Sequence, residues 1–298
     1  MIIDVHSHLG DILYPGGGGV IFRDDMEFPS PALYQILSEK ALFRDTLATR
    51  LTEKVFPMMP VNCERRRNFA ATLANFRASL VGTDISQCVC APIAPNNTFE
   101  DMLAARERDP RIVPFTSPDF TFSQMAVRLA KDLPGAKGVK IHPILQETEA
   151  DSAKVMQALE VISACARPVL IHAGKSRYYH RREMKGRFRV FASIDRIERL
   201  IAAFPRVKII VGHAGLGEIA QVIELLPKYK NAFVDTSFQP PEAIKALVKA
   251  FGGDRVMFAS DWPYGPRVPA IRAAEEACGA DAGLRRAVFW ENAAGLLE

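Results

Sequence analysis

Short runs of β-branched and other apolar residues recur along the chain. Each closes on a polar or Gly/Pro turn, and most are followed by a helical pattern. The runs predict strands over residues 2–8, 85–93, 112–115, 138–142, 168–172, 208–213, 232–236 and 256–261. Apolar residues at three- and four-residue spacing predict helices over 125–133, 152–166, 194–204, 218–226 and 242–251. Ile194, Ile197 and Ile201 show that spacing in one helix. Strands alternating with helices imply a parallel sheet. Several strands are apolar on both faces, as expected when helices cover the outside. Eight of them predict an α/β fold of the (β/α)8 TIM-barrel type, the alternative being an open doubly wound sheet.

One segment breaks the rhythm. About 75 residues separate His8 from Ile85, far more than one connecting helix needs. We read residues 1–298 as a single domain with an insertion at about 12–80, after the first strand. The insertion carries Gly16 to Gly19, Pro29, Pro31, Pro57 and Pro60, with helical pieces expected at 31–40 and 62–81. In a barrel such a segment lies over the active face, as a lid or substrate-selecting wall. The alternatives are a spacer packed on the barrel and a contact in a homodimer.

Composition narrows the class of protein. Of 298 residues 48% are hydrophobic, enough for one large core. The net charge of +4 is small for the length and no continuous Lys/Arg run marks a nucleic-acid surface. The densest basic stretch, residues 181–189, reads equally well as a solvated loop. The five cysteines, Cys63, Cys88, Cys90, Cys165 and Cys278, are odd in number and irregularly spaced, so they are not a disulfide framework. Reduced thiols, no signal-peptide pattern and no apolar run of membrane-spanning length lead us to expect a cytoplasmic protein.

Chemistry concentrates at the strand ends. Five of the six histidines, His6, His8, His142, His172 and His213, fall there, and Asp261 ends the last strand. His6 and His8 are two apart on a strand, so both imidazoles can face one metal ion. Imidazole and carboxylate together suit zinc and its first-row neighbours. In a barrel the C-terminal strand ends ring a single site, which an open sheet does not provide. Asp4 shares the strand parity of His6 and His8 but sits too deep to bind the same ion, and is expected as a buried supporting carboxylate. Glu291 is expected to tie down the C-terminal helix.

Four motifs in order carry a resemblance. They are His6-Ser7-His8, His172-Ala173-Gly174, His213-Ala214-Gly215 and Ser260-Asp261-Trp262-Pro263, with Trp290-Glu291-Asn292 near the end. Together they resemble the amidohydrolase superfamily of metal-dependent barrels. The branch they resemble is amidohydrolase-2, related to aminocarboxymuconate semialdehyde decarboxylase. The likeness runs from residue 1 to 298 and departs mainly in the insertion.

The resemblance implies that His6, His8, His172 and Asp261 hold one divalent metal, zinc first, with Mn2+ or a second metal as alternatives. It implies that His213 is the catalytic base or acid and that Asp261 also handles a proton, as imidazoles near neutrality can. Lys140 sits where binuclear relatives carry a carbamylated bridging lysine; in a mononuclear site it is instead a cation for a substrate carboxylate. His142 and Arg177 are candidate substrate-binding residues, the latter because a guanidinium grips a carboxylate with two bonds; the alternatives are a packed or capping histidine and a solvated loop charge. Arg177, Arg181 and Arg182 beside Lys140 point to a small anionic substrate. The first expected function is hydrolysis of an ester, lactone or amide through a metal-activated water. The alternative is non-oxidative decarboxylation at the same metal site, and a non-catalytic binding barrel stands behind both.

Overall fold

The computed structural model describes residues 1–29, 59–174, 176, 179 and 189–298. Eight parallel strands alternate with helices. They are β1 (Ile2–Ser7), β2 (Ile85–Cys90), β3 (Ile112–Pro114), β4 (Val139–Ile141), β5 (Val169–Ile171), β6 (Ile209–Val211), β7 (Ala232–Asp235) and β8 (Val256–Met257). β1 to β3 pair in order, and so do β4 to β8. Both seams between these sheets are bridged. Thr116 pairs with Val139 beside β4, and Ser7 pairs with Trp262 beyond β8. Val5 N donates to the Phe258 carbonyl (3.1 Å) and Lys140 N to the Thr116 carbonyl (2.7 Å), so backbone hydrogen bonds run right round the ring.

Each strand is short because its final residues leave the ladder to build the site. The barrel interior is filled by Ile3, Val5, Val89, Val113, Leu170, Ile210 and Met257. Their strand neighbours Ile2, Cys88, Ile112, Val169, Ile171, Ile209 and Val211 pack outward under the helices. Strands apolar on both faces are what a helix-covered parallel barrel requires.

The described helices are α1 (Met59–Phe69), α2 (Leu73–Leu80), α3 (Phe99–Arg108), α4 (Met125–Asp132), α5 (Ala153–Ser163), α6 (Ile194–Ala203), α7 (Ile219–Leu225), α8 (Pro241–Phe251), α9 (Arg267–Cys278), α10 (Ala282–Arg286) and α11 (Asn292–Leu297). Their starts follow local capping rules. Thr98 and Asp101 form a reciprocal capping box on α3, Ser152 caps α5, and Pro241 occupies the first turn of α8.

The insertion departs from expectation. Residues 62–81 were expected as one helical piece and form two, α1 and α2. The break lies at Thr72, whose extended backbone and side-chain oxygen, accepting from Asn75 N, start a new helix. The expected helix at 31–40 lies outside the described residues. The four-glycine run is not a loose spacer. Gly17 takes its N–H to the Asn96 carbonyl (2.7 Å) and its carbonyl to Asp11 N (2.9 Å). A Cβ there would stand 1.8 Å from the Asp11 carbonyl oxygen, so only glycine fits.

The five cysteines are all free, Cys88, Cys90 and Cys278 being buried. Among the described residues no helix is long and apolar enough to cross a membrane. Glu291 pairs with Arg286 at 3.2 Å on the exposed C-terminal segment, away from the chemistry.

Candidate metal centre and active site

The strand-end histidines do converge. His6, His8, His142, His172, His213, Lys140, Asp235 and Asp261 are each at most 3% exposed. They gather at the C-terminal mouth of the barrel, where each parallel strand stops.

His6 and His8 are set by fixed partners. His6 Nδ1 donates to Asp235 Oδ2 (2.8 Å), and His8 Nδ1 donates to the Ala91 carbonyl (2.6 Å). Each ring therefore keeps an Nε2 lone pair on the site side, where that of His6 accepts from Lys140 Nζ. Asp261 Oδ1 lies 3.4 Å from His6 Nε2 and 3.3 Å from His8 Nε2. This oxygen is buried and makes no hydrogen bond. Burial, the first cause, also holds both imidazoles well below their ordinary pKa, His8 down to about 3. Two neutral nitrogens aimed at an orphaned carboxylate oxygen form an electron-rich pocket that calls for a cation. Two donors each ~2.1 Å from a tetrahedral ion lie about 3.4 Å apart, the spacing seen here. His6, His8 and Asp261 thus fit a divalent metal.

His172 occupies a different part of the cluster. Its Nδ1 lies 3.1 Å from His213 Nε2, and its Nε2 is 2.9 Å from the Ser176 hydroxyl. The set of mutually close ligand atoms that contains Asp261 comprises His6, His8 and Asp261, without His172. His142 stacks on His172, ring centroids 3.9 Å apart and nearly parallel.

His213 follows β6 in a tight turn with φ 56°, a left-handed conformation rare outside glycine. Asp235 holds the turn. Its Oδ1 accepts from His213 N (3.0 Å) and from the Ser237 hydroxyl (2.5 Å), while that hydroxyl meets His213 Nδ1 at 2.7 Å. The Gln239 amide adds a bond to the His213 carbonyl (2.6 Å). His213 Nε2 is left facing the site, 3.9 Å from Asp261 Oδ2. Sequence reading missed Asp235 as a site residue, although it ends β7 and the strand-end rule that selected the histidines applies to it equally.

Lys140 lies wholly inside the barrel, its Nζ donating to His6 Nε2 at 2.6 Å. Burial lowers its ammonium to about 8, against the pull of Asp261 and Asp235. It is a cation in direct contact with the ligand cluster, at the place the sequence assigned to it.

Asp4 is buried as expected but does not face the histidines. The β1 register shifts between Asp4 and Ser7, and this irregularity undoes the simple alternation that put all three side chains on one side. Asp4 Oδ2 instead meets Arg267 Nη1 (2.6 Å) in a fully buried ion pair. Its oxygens also accept from Ser260 N (2.9 Å) and Ser260 Oγ (2.5 Å). The pair thereby grips the residue before Asp261. Asp261 itself takes φ 58°, and its N–H bonds the His6 carbonyl (2.8 Å). Nothing in the sequence pattern flagged Arg267, 263 positions from its partner.

Above the polar floor stands an apolar collar. Ile12, Leu13, Ile93, Leu145, Tyr179, Phe238 and Tyr264 form one buried cluster drawn from the loops beyond six strands. Phe238 lies 5.3 Å from the His213 ring and Tyr264 lies 6.0 Å from the His8 ring. Helix α1 closes the collar on one side. Asn68 Oδ1 accepts from Tyr264 Oη (2.8 Å) and Ile12 N (3.0 Å), and Arg67 donates to the Tyr264 carbonyl. Arg177 lies outside the described residues.

A parallel eight-stranded barrel whose C-terminal mouth gathers a histidine–aspartate cluster that fits a divalent cation is an architecture used by metal-dependent enzymes. The chain belongs to the Amidohydro_2 (amidohydrolase) family, whose sequence pattern matches residues 3–298. No curated protein sequence matches it significantly. Several solved structures share its fold. A 5-carboxyvanillate decarboxylase from Novosphingobium aromaticivorans, with bound manganese and 3-methoxy-4-hydroxy-5-nitrobenzoic acid, superposes with a TM-score of 0.66 at 16% identity, covering 100% of this chain and 97% of its own. A 2,6-dihydroxybenzoate decarboxylase from Rhizobium gives 0.59 at 14% identity, with 99% and 98% covered. A probable 2-pyrone-4,6-dicarboxylic acid hydrolase from Acinetobacter baumannii, with citric acid bound, gives the same TM-score, identity and coverage. At these identities the likeness establishes the fold.

Proposed function

We propose that this protein is a metal-dependent, non-oxidative decarboxylase of small carboxylated aromatic molecules. The observation that supports the reading is the apolar, aromatic cluster set against a histidine-rich floor that holds the buried Lys140 ammonium. A flat ring fits the collar and an anionic carboxylate fits the floor. The two structural relatives described as decarboxylases support it. Hydrolysis of an ester, lactone or amide, the first expectation from sequence, stands as the alternative.

The ligands proposed for the ion are His6, His8, Asp261 and, from the family resemblance, His172. A divalent ion there supplies positive charge that binds and polarises an anionic substrate. Manganese and zinc both suit this donor set. The rest falls to the chain. Lys140 adds a buried positive charge against the substrate carboxylate. The collar strips water from that carboxylate, which disfavours the charged reactant relative to neutral carbon dioxide. When the bond to the carboxylate carbon breaks, its electron pair stays on the ring carbon, which takes up one proton. His213 holds and passes that proton at Nε2, anchored through Nδ1 by Ser237 and Asp235. The proton comes from solvent, and Asp261 Oδ2, 3.9 Å from His213 Nε2, is the neighbouring group that can pass it on. His142 and Arg177 are proposed to bind the substrate.

The test uses carboxyl-labelled hydroxybenzoates, methoxybenzoates and benzene dicarboxylates with manganese- and zinc-loaded enzyme, run beside neutral esters and lactones. Labelled carbon dioxide released with one proton gained at the ring supports the proposal. Turnover of the neutral compounds without carbon dioxide release overturns it in favour of hydrolysis.

A further inference from the structure

Helix α1 brings one carboxylate to the collar that the reaction above does not use. Glu64 lies one turn before Asn68, so both share a helix face. That face is fixed. Asn68 is locked between Tyr264, Ile12 and Asp11, and Arg67 holds the Tyr264 backbone. Tyr264 in turn packs edge-on to His8. The residue is partly buried, yet Glu64 Oε2 is sealed from solvent and makes no hydrogen bond. Burial pushes its carboxyl up to about 8. An enclosed polar oxygen with no partner is costly, and such groups are normally satisfied. Its unsatisfied bond is therefore available to a ligand.

We propose that Glu64 is a specificity-determining residue that hydrogen-bonds a hydroxyl group on the substrate. A hydroxyl serves Glu64 in either protonation state. It donates to the carboxylate and accepts from the carboxylic acid. An ether accepts only and an ammonium donates only. The insertion thus reads one side of the ring while the strand ends hold the carboxylate. This inference rests on the carboxylate-binding reading of the site, but not on what becomes of the carboxylate.

The test is equilibrium binding, by calorimetry on metal-loaded protein, of benzoate and its 2-, 3- and 4-hydroxy derivatives. In the native protein at least one hydroxylated acid should bind more tightly than benzoate. Glu64→Leu should erase that preference, weakening the favoured hydroxy acid about tenfold or more, the scale of a lost buried hydrogen bond. Benzoate itself should change by no more than about twofold, within the reach of a small packing change at a single site. Glu64→Gln, which keeps an acceptor and a donor, should restore most of the preference. Metal content and melting temperature, measured on the same samples, report any failure to fold; a Glu64→Leu that does not fold leaves the preference of Glu64→Gln against Glu64→Ala as the reading. Equal weakening of benzoate and hydroxy acids, or no change in either, overturns the proposal. If the native protein binds none of the four, the proposal falls with the substrate class. If Glu64 discriminates but no carbon dioxide is released, only the decarboxylase reading fails.

Discussion

The two halves of the histidine cluster are built differently. On the β1–β8 side, His6 and His8 turn their Nδ1 hydrogens to fixed acceptors, Asp235 and a main-chain carbonyl, and present unprotonated Nε2 atoms toward Asp261, that of His6 also accepting from Lys140. On the β4–β6 side, His142, His172 and His213 stack on or bond to one another and to the hydroxyls of Ser176 and Ser237. Histidines that ligate metals have their rings oriented by such partners. A chain of imidazoles and hydroxyls can relay a proton. On our proposal the first half holds the cation and the second moves protons against the substrate, with His172 placed between them as the fourth proposed ligand. Asp235 belongs to both, with one oxygen on His6 and the other on the His213 turn.

Substitutions on each side can break this division. The largest effect is expected for His8→Ala. It should empty the metal site and abolish turnover together, as atomic absorption and activity on one sample would show. Metal retained at wild-type level would remove His8 from the ligand set. His213→Asn should leave metal content nearly intact and lower kcat by about 10²-fold or more, the scale of lost general acid–base help. Loss of metal in proportion to activity would move His213 to the other half.

Asp235→Asn sharpens the comparison. It should weaken metal affinity by roughly 10- to 100-fold, as losing the partner of a ligating histidine does. Because it also loosens the His213 turn, kcat should stay reduced at saturating metal. Full recovery there would confine Asp235 to the cation side.

How much of this was legible in the sequence follows the range of each interaction. The eight strands were readable because each carries its own apolar run, and the histidines because strand ends in a barrel share one address. The expectation for Asp4 failed in part. A register irregularity inside β1 turned it away from His6 and His8, and strict alternation cannot anticipate such a shift. Its partner Arg267 joins through tertiary packing alone. The break at Thr72 within the expected helix was present as a capping residue, but a threonine among apolar neighbours reads equally as helix interior. Glu64 carried no signal at all, because nothing in the insertion's pattern says which face of α1 meets the barrel.

The smallest expected effect lies away from the site. Asp109 accepts from Arg111 and Arg77, and these bonds, Arg111 first, hold its carboxyl down at about 2. A carboxyl depressed in the folded state stabilises the fold above its unfolded pKa and loses that contribution as pH falls through the folded value. Asp109→Asn should therefore lower the melting temperature slightly at neutral pH, with the gap to the native protein closing between about pH 4 and pH 2. A gap that persists unchanged at the acid end would mean that packing, not charge, is what the substitution removes.

The central claim is that the unprotonated Nε2 atoms of His6 and His8, the first also accepting from Lys140, and the Asp261 oxygen that makes no hydrogen bond are a cation site. Anomalous scattering from crystals of the manganese- or zinc-loaded protein tests it directly. The account predicts one strong peak within ligand distance, about 2.0–2.2 Å, of His6 Nε2, His8 Nε2 and an Asp261 oxygen. It predicts that His213 stays outside that shell, and the same maps show whether His172 joins it and whether Lys140 carries a carbamate. A peak centred instead on His213 and Asp235, or no peak from protein saturated with either metal, would contradict it.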